Sequence, residues 1–382
     1  MKIYIKGGKV FLPDNRTLYK TLIIEDQIIC DIIPEGYTPG NNDKVVDATG
    51  KWVVPGFIDL HAHGALGKDT MDGTQDAIHT LGKFFASHGV TSYLPTVWTS
   101  TPELMMKAID NVKNCPQPED GARHLGVHVE GPYLNVEYRG AQLKDLIRKP
   151  DPIEYQKWLD TGIVKLITIA PENEGALEFI DLAVDQGVEF AIGHSGASYE
   201  KVIEAADHGV KQATHLYNGM LGVHHRNPGT AGAILTDDRI FAQIIVDGVH
   251  VHPAMIKLAV RAKGVYRIIL ITDSIRGNGL SDGDYDYYGQ KFTVIDGIAR
   301  TPEGGLSGST LTLDQALRNM IKFTGMSLNE VLPMATSVPA EAMGWGGQRG
   351  VLKPGADADV IILNDDLVVE KTFVLGKEVF SK

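Results

Sequence analysis

Two histidines stand two residues apart at the end of an apolar stretch. His61 and His63 follow Trp52–Val54 and Phe57–Ile58, which together predict one buried strand closed by glycine. Side chains two residues apart on a strand leave the same face, so both imidazoles should project together. Imidazole nitrogen is a good ligand for zinc, iron and similar ions. The pair therefore predicts half of a transition-metal site, although a His-x-His pair alone fits an ordinary surface position equally well.

More side chains that can bind metal stand at the ends of later apolar runs. Glu130, His194, His215 and Asp273 each close such a run. In a parallel barrel the C-terminal ends of all strands face one mouth, so these side chains should meet there. An isolated buried histidine is more often a hydrogen-bonded core residue, and that is the interpretation for His128, which lies in mid-strand. The group at the strand ends predicts a metal-dependent site.

The middle of the chain alternates predicted strands with helices. Each predicted strand is an apolar run suited to burial on both faces of a parallel sheet. Eight runs follow one another, at residues 52–58, 93–97, 125–130, 164–170, 188–194, 212–215, 241–247 and 267–273. The number favours an α/β fold of the (β/α)₈ TIM-barrel type, although an open doubly wound sheet has the same local pattern.

Both ends of the chain read as short strands separated by turns. The economical arrangement is a small β-sandwich domain built from both termini, with the barrel inserted between them. The predicted boundaries are residues 1–53 plus 350–382 for the small β-domain and 54–349 for the metal-dependent catalytic barrel.

Composition excludes several classes of partner. The 382 residues include 36 Lys and Arg against 48 Asp and Glu, a net charge of −12, which argues against nucleic acid. No apolar run is long enough to span a bilayer, and the first residues lack the apolar core of a signal peptide. The two cysteines, Cys30 and Cys115, imply no disulfide framework. We therefore expect a cytoplasmic protein with neither a membrane nor a nucleic acid as partner.

The strand-end residues and their flanks resemble the amidohydrolase superfamily, and within it most closely the N-acetylglucosamine-6-phosphate deacetylase family. Many amidohydrolases bridge two metals with a modified lysine on the fourth strand, whereas here that strand runs into Ala170-Pro171-Glu172 and Glu130 offers the carboxylate instead. The matching motifs extend over nearly the whole chain, at residues 55–63, 128–135, 193–195, 214–220, 228–233, 247–250, 272–273 and 306–309.

The resemblance implies a cofactor and a catalytic group. Glu130, His194 and His215 would hold a divalent metal of the Zn, Fe, Mn or Co class. His61 and His63 would hold a second, so one or two metals per chain are expected. Asp273 would be the catalytic acid and base, taking the proton of the attacking water and passing it to the amine leaving group.

The resemblance also implies the substrate, a phosphorylated amino sugar. The implied reaction of amino-sugar metabolism hydrolyses the acetamide of N-acetylglucosamine 6-phosphate to glucosamine 6-phosphate and acetate. An arginine binds phosphate in a fork that lysine cannot reproduce, which favours Arg226 as a phosphate contact. Gln142 stands where some family members carry a histidine that touches substrate. The full expected substrate-binding set is Ala141, Gln142, Asn218, Gly219, Arg226, His250, Leu306, Ser307 and Gly308. Family members are commonly dimers, so a homodimer is expected.

Two other functions fit the same residues. One is an amidohydrolase reaction on a different N-acyl sugar or on an N-acyl amino acid. The other is a non-catalytic barrel that retains a metal for structure or sensing. Asp273 favours an enzyme, because a purely structural metal site does not need it.

Overall fold

The computed structural model describes residues 2–287 and 290–382, so Met1 lies outside the described part. The chain begins with short strands joined by turns, as expected. These are β1 (Ile3–Phe11), β2 (Thr17–Glu25), β3 (Ile28–Ile33), β4 (Lys44–Asp47) and β5 (Trp52–Pro55). Strand β1 pairs with β2 in the antiparallel sense and with β4 and β5 in the parallel sense.

The middle of the chain supplies the barrel strands. They are β6 (Phe57–Ala62), the small hairpin β7 (Gly64–Ala65) and β8 (Lys68–Asp69), β9 (Val90–Trp98), β10 (Arg123–His124), β11 (Val127–Glu130), β12 (Val164–Ile169), β13 (Glu189–Ile192), β14 (Gln212–Ala213), β15 (Phe241–Ile245) and β16 (Ile268–Ile271). In the described residues eight of these pair in parallel in the order β6-β9-β11-β12-β13-β14-β15-β16, while β10 extends the edge of β9. The amide of Asp273 donates to the carbonyl of His61 at 2.9 Å, which joins the last strand to the first. The predicted TIM barrel is confirmed.

Helices cover the outside of the barrel between successive strands. Several begin at a threonine or serine whose hydroxyl accepts a backbone N–H, as Thr74, Thr101 and Ser198 do. The α-helices are α1 (Gln75–Ser87), α2 (Pro102–Asn114), α3 (Pro152–Asp160), α4 (Ala176–Val184), α5 (Tyr199–Asp207), α6 (Gly229–Thr236), α7 (Pro253–Lys263), α8 (Leu313–Thr324), α9 (Leu328–Val331) and α10 (Ser337–Ala342). Short 3₁₀ turns occur at Thr70–Asp72, Val136–Tyr138, Lys144–Leu146, Val265–Arg267 and Leu332–Ala335.

A separate antiparallel sheet follows the last barrel strand. It contains β17 (Gly283–Tyr287), β18 (Gln290–Ile295) and β19 (Ile298–Arg300). Phe292, Val294 and Ala299 bury their side chains in a small core of its own. Partly buried Ile275, two residues past Asp273, packs against that core, so this sheet is anchored beside the barrel mouth.

The chain ends with β20 (Val360–Leu363), β21 (Val369–Val374) and β22 (Lys377–Ser381). These strands join the N-terminal ones in a single sheet of order β22-β21-β20-β5-β1-β2-β3, with β4 paired to β1. That sheet has an apolar core distinct from the barrel core. Arg123 on β10 connects the two parts, because its guanidinium contacts Asp357 at 2.9 Å and Asp359 at 2.6 Å. No helix in residues 2–287 or 290–382 is both long and apolar enough to cross a membrane.

The prediction that residues 52–58 form a single strand is wrong, because the structure divides them between two strands. Residues Trp52–Pro55 pair with β20 and β1 in the terminal sheet, whereas Phe57 begins the barrel. The chain changes sheet at Gly56, where a Cβ atom would lie 2.1 Å from the hydroxyl of Thr91. The apolar residues on both sides of Gly56 are buried, so hydrophobicity alone did not reveal the break.

Candidate active site

The predicted metal-binding side chains lie close together at the C-terminal ends of the barrel strands. Glu130 is the last residue of β11, whereas His194, His215 and Asp273 each lie two residues beyond a strand. The backbone at those three residues has φ of 48°, 33° and 50°, a left-handed conformation that residues other than glycine seldom adopt. Such conformations cost on the order of 1–3 kcal/mol each and are concentrated at functional sites. The strands therefore end earlier than predicted, and the turns that follow aim the side chains.

Glu130, His194 and His215 form the first group that could hold a metal ion. The Nε2 atoms of His194 and His215 lie 3.2 and 3.1 Å from Oε1 of Glu130, and 3.1 Å from each other. All three side chains are buried. Burial favours the neutral form of Glu130, but the surrounding histidines outweigh burial and lower its pKa well below the usual value. The group therefore contains an ionised carboxylate between two imidazoles.

The hydrogen bonds behind these imidazoles show that the group fits a cation. Nδ1 of His194 donates to the carbonyl of Tyr138 at 2.9 Å, and Nδ1 of His215 donates to the carbonyl of Asn218 at 3.1 Å. Because a carbonyl only accepts, each neutral ring has its lone pair on Nε2. When both rings are neutral, as metal binding requires, these two nitrogens and the carboxylate oxygen face one another without a proton between them. A divalent ion bound to all three atoms satisfies them together.

His61, His63 and Asp273 form a second group. The two Nε2 atoms lie 3.1 Å apart and 3.5 and 3.3 Å from Oδ1 of Asp273. Nδ1 of His63 donates to the carbonyl of Thr96 at 3.2 Å, whereas Nδ1 of His61 is buried and has no hydrogen-bond partner among the described residues. Burial lowers the pKa of His61 to about 4, so its ring is neutral near pH 7. Burial lowers the pKa of His63, but the hydrogen bonds to Asp273 and Glu130 outweigh burial and raise it well above the usual value. This group therefore attracts positive charge, as a proton or as a metal ion.

Removing the second group tests how many metals the site takes. We expect the His61→Ala, His63→Ala variant to lose one of two bound ions, because the first group keeps all three of its donors. Metal content of purified protein measures this directly. A control that replaces the exposed His224 and His225, whose ring centroids lie 4.4 Å apart, should keep both ions. An unchanged metal content in the His61 and His63 variant would contradict the two-metal prediction.

Asp273 supplies the carboxylate of the second group and lines the cavity. Burial raises the pKa of Asp273, but His61 and His63 outweigh burial and lower it to about 2. The carboxylate is therefore ionised at neutral pH and can accept a proton. On the barrel seam behind it, the buried Asp59 accepts a hydrogen bond from the hydroxyl of Thr272 at 2.6 Å and from the amide of His61 at 3.1 Å. These contacts hold His61, two residues before His63, and Thr272, which directly precedes Asp273.

A cavity of about 340 Å³ opens above the two groups, within the ~300–1,000 Å³ typical of small-molecule sites. It is lined by most of the residues that the sequence predicted for substrate, namely Ala141, Gln142, Asn218, Gly219, His250, Leu306, Ser307 and Gly308. His61 is fully buried and does not line the cavity. Arg226 does not line it either: its side chain is exposed and contacts Nε2 of His225 at 2.8 Å. The phosphate contact predicted for Arg226 stays a prediction.

Two of the lining residues have clear local reasons for their position. Gly219 has a φ of 57°, and a Cβ there would lie 2.8 Å from Nδ1 of His194, so the backbone packs directly against a metal-binding ring. Nδ1 of His250 lies 2.6 Å from Oδ2 of Asp247, whose other oxygen accepts the amides of Val249 and His250 at 2.8 Å. The His250 ring is thereby held with Nε2 directed away from Asp247.

Sequence reasoning missed six lining residues, which are Asp69, Trp98, Gly140, Ile275, Arg276 and Phe292. Trp98 ends β9, so the strand-end argument that found Glu130 could have found it as well. Arg276 pairs with Asp72 at 2.8 Å, across loops that follow the last and first barrel strands. Phe292 comes from the sheet after Asp273. No local pattern shows that these distant segments meet at the cavity.

Comparison with known proteins agrees with this geometry. The model of the Amidohydrolase family matches residues 52–379. An N-acetylglucosamine-6-phosphate deacetylase from Lysinibacillus sphaericus is 38% identical over 335 residues, covering 87% of this chain and 86% of the relative. An N-acetylgalactosamine-6-phosphate deacetylase from Escherichia coli O157:H7 is 37% identical over 337 residues, covering 87% of this chain and 89% of the relative.

Solved structures give the same result. A mutant N-acetyl-D-glucosamine-6-phosphate deacetylase from Mycobacterium smegmatis, in complex with N-acetyl-D-glucosamine-6-phosphate, superimposes with a TM-score of 0.90 at 32% identity, over 100% of this chain and 99% of the other. The sequence matches cover 87% of this chain and the structural match covers all of it. The chain belongs to the amidohydrolase family and, within it, to the N-acetylglucosamine-6-phosphate deacetylase family.

Proposed function

We propose that the protein hydrolyses the acetamide of N-acetylglucosamine 6-phosphate to glucosamine 6-phosphate and acetate. The observation that supports this most is that the two groups able to hold a metal meet at one cavity, with Oε1 of Glu130 3.5 Å from Nε2 of His61 and the ionised Asp273 on the cavity wall. A structural metal site needs neither the open cavity nor an extra carboxylate, so the non-catalytic alternative leaves both features unexplained.

The reaction needs a nucleophile at neutral pH and a proton for the leaving amine. In the proposal Glu130, His194 and His215 hold the principal metal, and His61 and His63 hold the second. A bound divalent metal of the Zn, Fe, Mn or Co class supplies a more acidic water and polarises the acetyl oxygen. Asp273 takes a proton from the attacking water and donates it to the amide nitrogen as the C–N bond breaks. Acetate and the protonated amine are the products.

The rest of the cavity positions the sugar. In the proposal Asn218 and Gly219 contact the phosphate, since both line the cavity on the His194 and His215 side. His250 orients the sugar or its acetyl group through Nε2. Ala141, Leu306, Ser307 and Gly308 give the wall its shape, as expected for a cavity that accepts one hexose phosphate.

Arg226 is the predicted phosphate contact that can be tested against a second arginine. We expect Arg226→Ala to raise KM for the phosphorylated sugar and to lower kcat/KM by about ten- to a hundred-and-fifty-fold, since a lost charge-assisted hydrogen bond costs ~1.5–3 kcal/mol. Activity on the unphosphorylated sugar should hardly change, because the contact is remote from the amide.

Arg276→Ala is the matched control, because Arg276 lines the cavity and pairs with Asp72. It should impair both substrates alike. A loss confined to the phosphorylated sugar in the Arg276 variant, with no loss in the Arg226 variant, would transfer the phosphate contact to Arg276.

A second candidate substrate is N-acetylgalactosamine 6-phosphate, the epimer at C4. The E. coli relative that carries this name is 37% identical, nearly as similar as the L. sphaericus relative named N-acetylglucosamine-6-phosphate deacetylase, at 38%. The test is kcat/KM for both epimers with the same preparation. The proposal expects the glucosamine epimer to be preferred, and a preference for the galactosamine epimer would reverse the assignment while leaving the chemistry intact.

The proposal includes a homodimer and a cytoplasmic location. Apolar side chains are exposed on several loops at the C-terminal ends of the barrel strands, including Leu66, Leu143, Val223, Val249 and Leu280. Such residues fit a surface covered by a second copy. Both cysteines are free thiols, which fits a reducing compartment. Sedimentation of the purified protein determines the oligomeric state.

A further inference from the structure

We propose that Gln142 is a positioning residue for Glu130, which holds one carboxylate oxygen and thereby directs the other to His194 and His215. The inference rests on the proposed metal role of Glu130. It assigns Gln142 to the metal site, where the sequence had assigned it to substrate.

The orientation of the Gln142 amide is fixed by its two partners. The backbone N–H of Thr99 donates to Oε1 of Gln142 at 3.1 Å. Because that N–H can only donate, the atom facing it must be the oxygen, and the NH₂ group must face the other way. There it donates to Oε2 of Glu130 at 2.8 Å. Gln142 is 9% exposed, so little water competes for either contact.

The contact makes the two oxygens of Glu130 unequal. Oε1 faces the nitrogens of His194 and His215 at 3.2 and 3.1 Å and accepts nothing from Gln142. Oε2 lies 3.4 Å from Nε2 of His63 but is already hydrogen-bonded to the amide. Gln142 therefore leaves Oε1 to the nitrogens of His194 and His215, with Nε2 of His61 farther away at 3.5 Å, and occupies one acceptor position of Oε2 on the side of His63.

The same loop also orients a second donor of the first group. Gln142 and Tyr138 both lie in the segment between β11 and α3, and the carbonyl of Tyr138 accepts the Nδ1 proton of His194. One loop thus holds the carboxylate through a side chain and an imidazole through its backbone. Contacts of this kind set ligand orientation, and losing one typically lowers metal affinity about 10- to 100-fold.

The test replaces Gln142 with methionine, which has similar length but neither donor nor acceptor. In the His61→Ala, His63→Ala background, where the first group remains alone, we expect the Kd for Zn²⁺ to rise by about 10- to 100-fold, measured by chelator competition. The visible spectrum of the Co²⁺ form should change as well, since the carboxylate is no longer held. With both groups intact, the affinities of the two sites should move closer together.

Gln117→Met is the matched control, because Gln117 also donates from Nε2, to the carbonyl of His124 at 2.8 Å, but lies outside the cavity. It should leave Zn²⁺ affinity and the Co²⁺ spectrum unchanged. If methionine at 142 prevents folding, Gln142→Ala makes no steric demand and should weaken binding in the same direction. An unchanged Zn²⁺ Kd in a folded Gln142 variant would overturn the inference, as would a defect confined to KM for the phosphorylated sugar. None of the metal measurements needs substrate, so they fail or succeed independently of the proposed reaction.

Discussion

Asp273→Asn is expected to lower kcat by about 10²- to 10⁴-fold while the protein keeps its metal, in line with the loss of general acid–base catalysis. Asparagine preserves the shape of the side chain and one oxygen but cannot accept and return a proton. It also tolerates the left-handed backbone at this position, where φ is 50°. The measurements are kcat and metal content on the same preparation, with sugar phosphate binding measured by calorimetry.

The same variant separates proton transfer from metal binding. If Asp273 acts mainly as a ligand of the second group, its replacement should release metal, as the His61→Ala, His63→Ala variant is expected to do. Retained metal and retained substrate binding with very slow turnover support the proton-transfer role. Near-normal turnover with full metal would remove Asp273 from the mechanism.

His194→Ala combined with His215→Ala is expected to abolish binding at the first group and reduce kcat more than a thousandfold. Metal-based charge stabilisation is worth several kcal/mol, and each ~1.4 kcal/mol is a factor of ten in rate. Of the four histidines around Glu130, the variant leaves only His61 and His63. It should therefore retain no more than one metal per chain.

Thermal unfolding gives a reading of this variant that does not depend on activity. A metal that binds only the folded state raises Tm, so removing metal from the parent with a chelator should lower its Tm. The same treatment should shift the double variant less. Full activity in the double variant, or an equal shift on chelation, would show that the principal metal is bound elsewhere.

The sequence predicts which side chains meet at the barrel mouth because these residues follow a geometric rule. Glu130, His194, His215 and Asp273 stand at the ends of apolar runs, and parallel strands bring such ends together. The left-handed turns that orient His194, His215 and Asp273 are not predictable in this way, because a turn of this kind leaves no signal in the sequence when glycine is absent.

The parts that were missed depend on contacts between distant segments. The change of sheet at Gly56 arises from the close approach of Thr91, which lies in another strand. Phe292 reaches the cavity from a sheet that packs on Ile275. The sequence around Gln142 indicates only a loop. Its hydrogen bond to Glu130 depends on how the segment between β11 and α3 folds against the end of β11.

The central claim is that this protein removes acetate from a phosphorylated amino sugar with the help of metal. The direct test is acetate release from N-acetylglucosamine 6-phosphate and from unphosphorylated N-acetylglucosamine, by purified protein as isolated, after chelation, and after a divalent metal is restored. The account predicts rapid release from the phosphorylated sugar, much slower release from the free sugar, loss of both on chelation and recovery with metal. Equal rates on the two sugars, or full activity after verified removal of the metal, would contradict it.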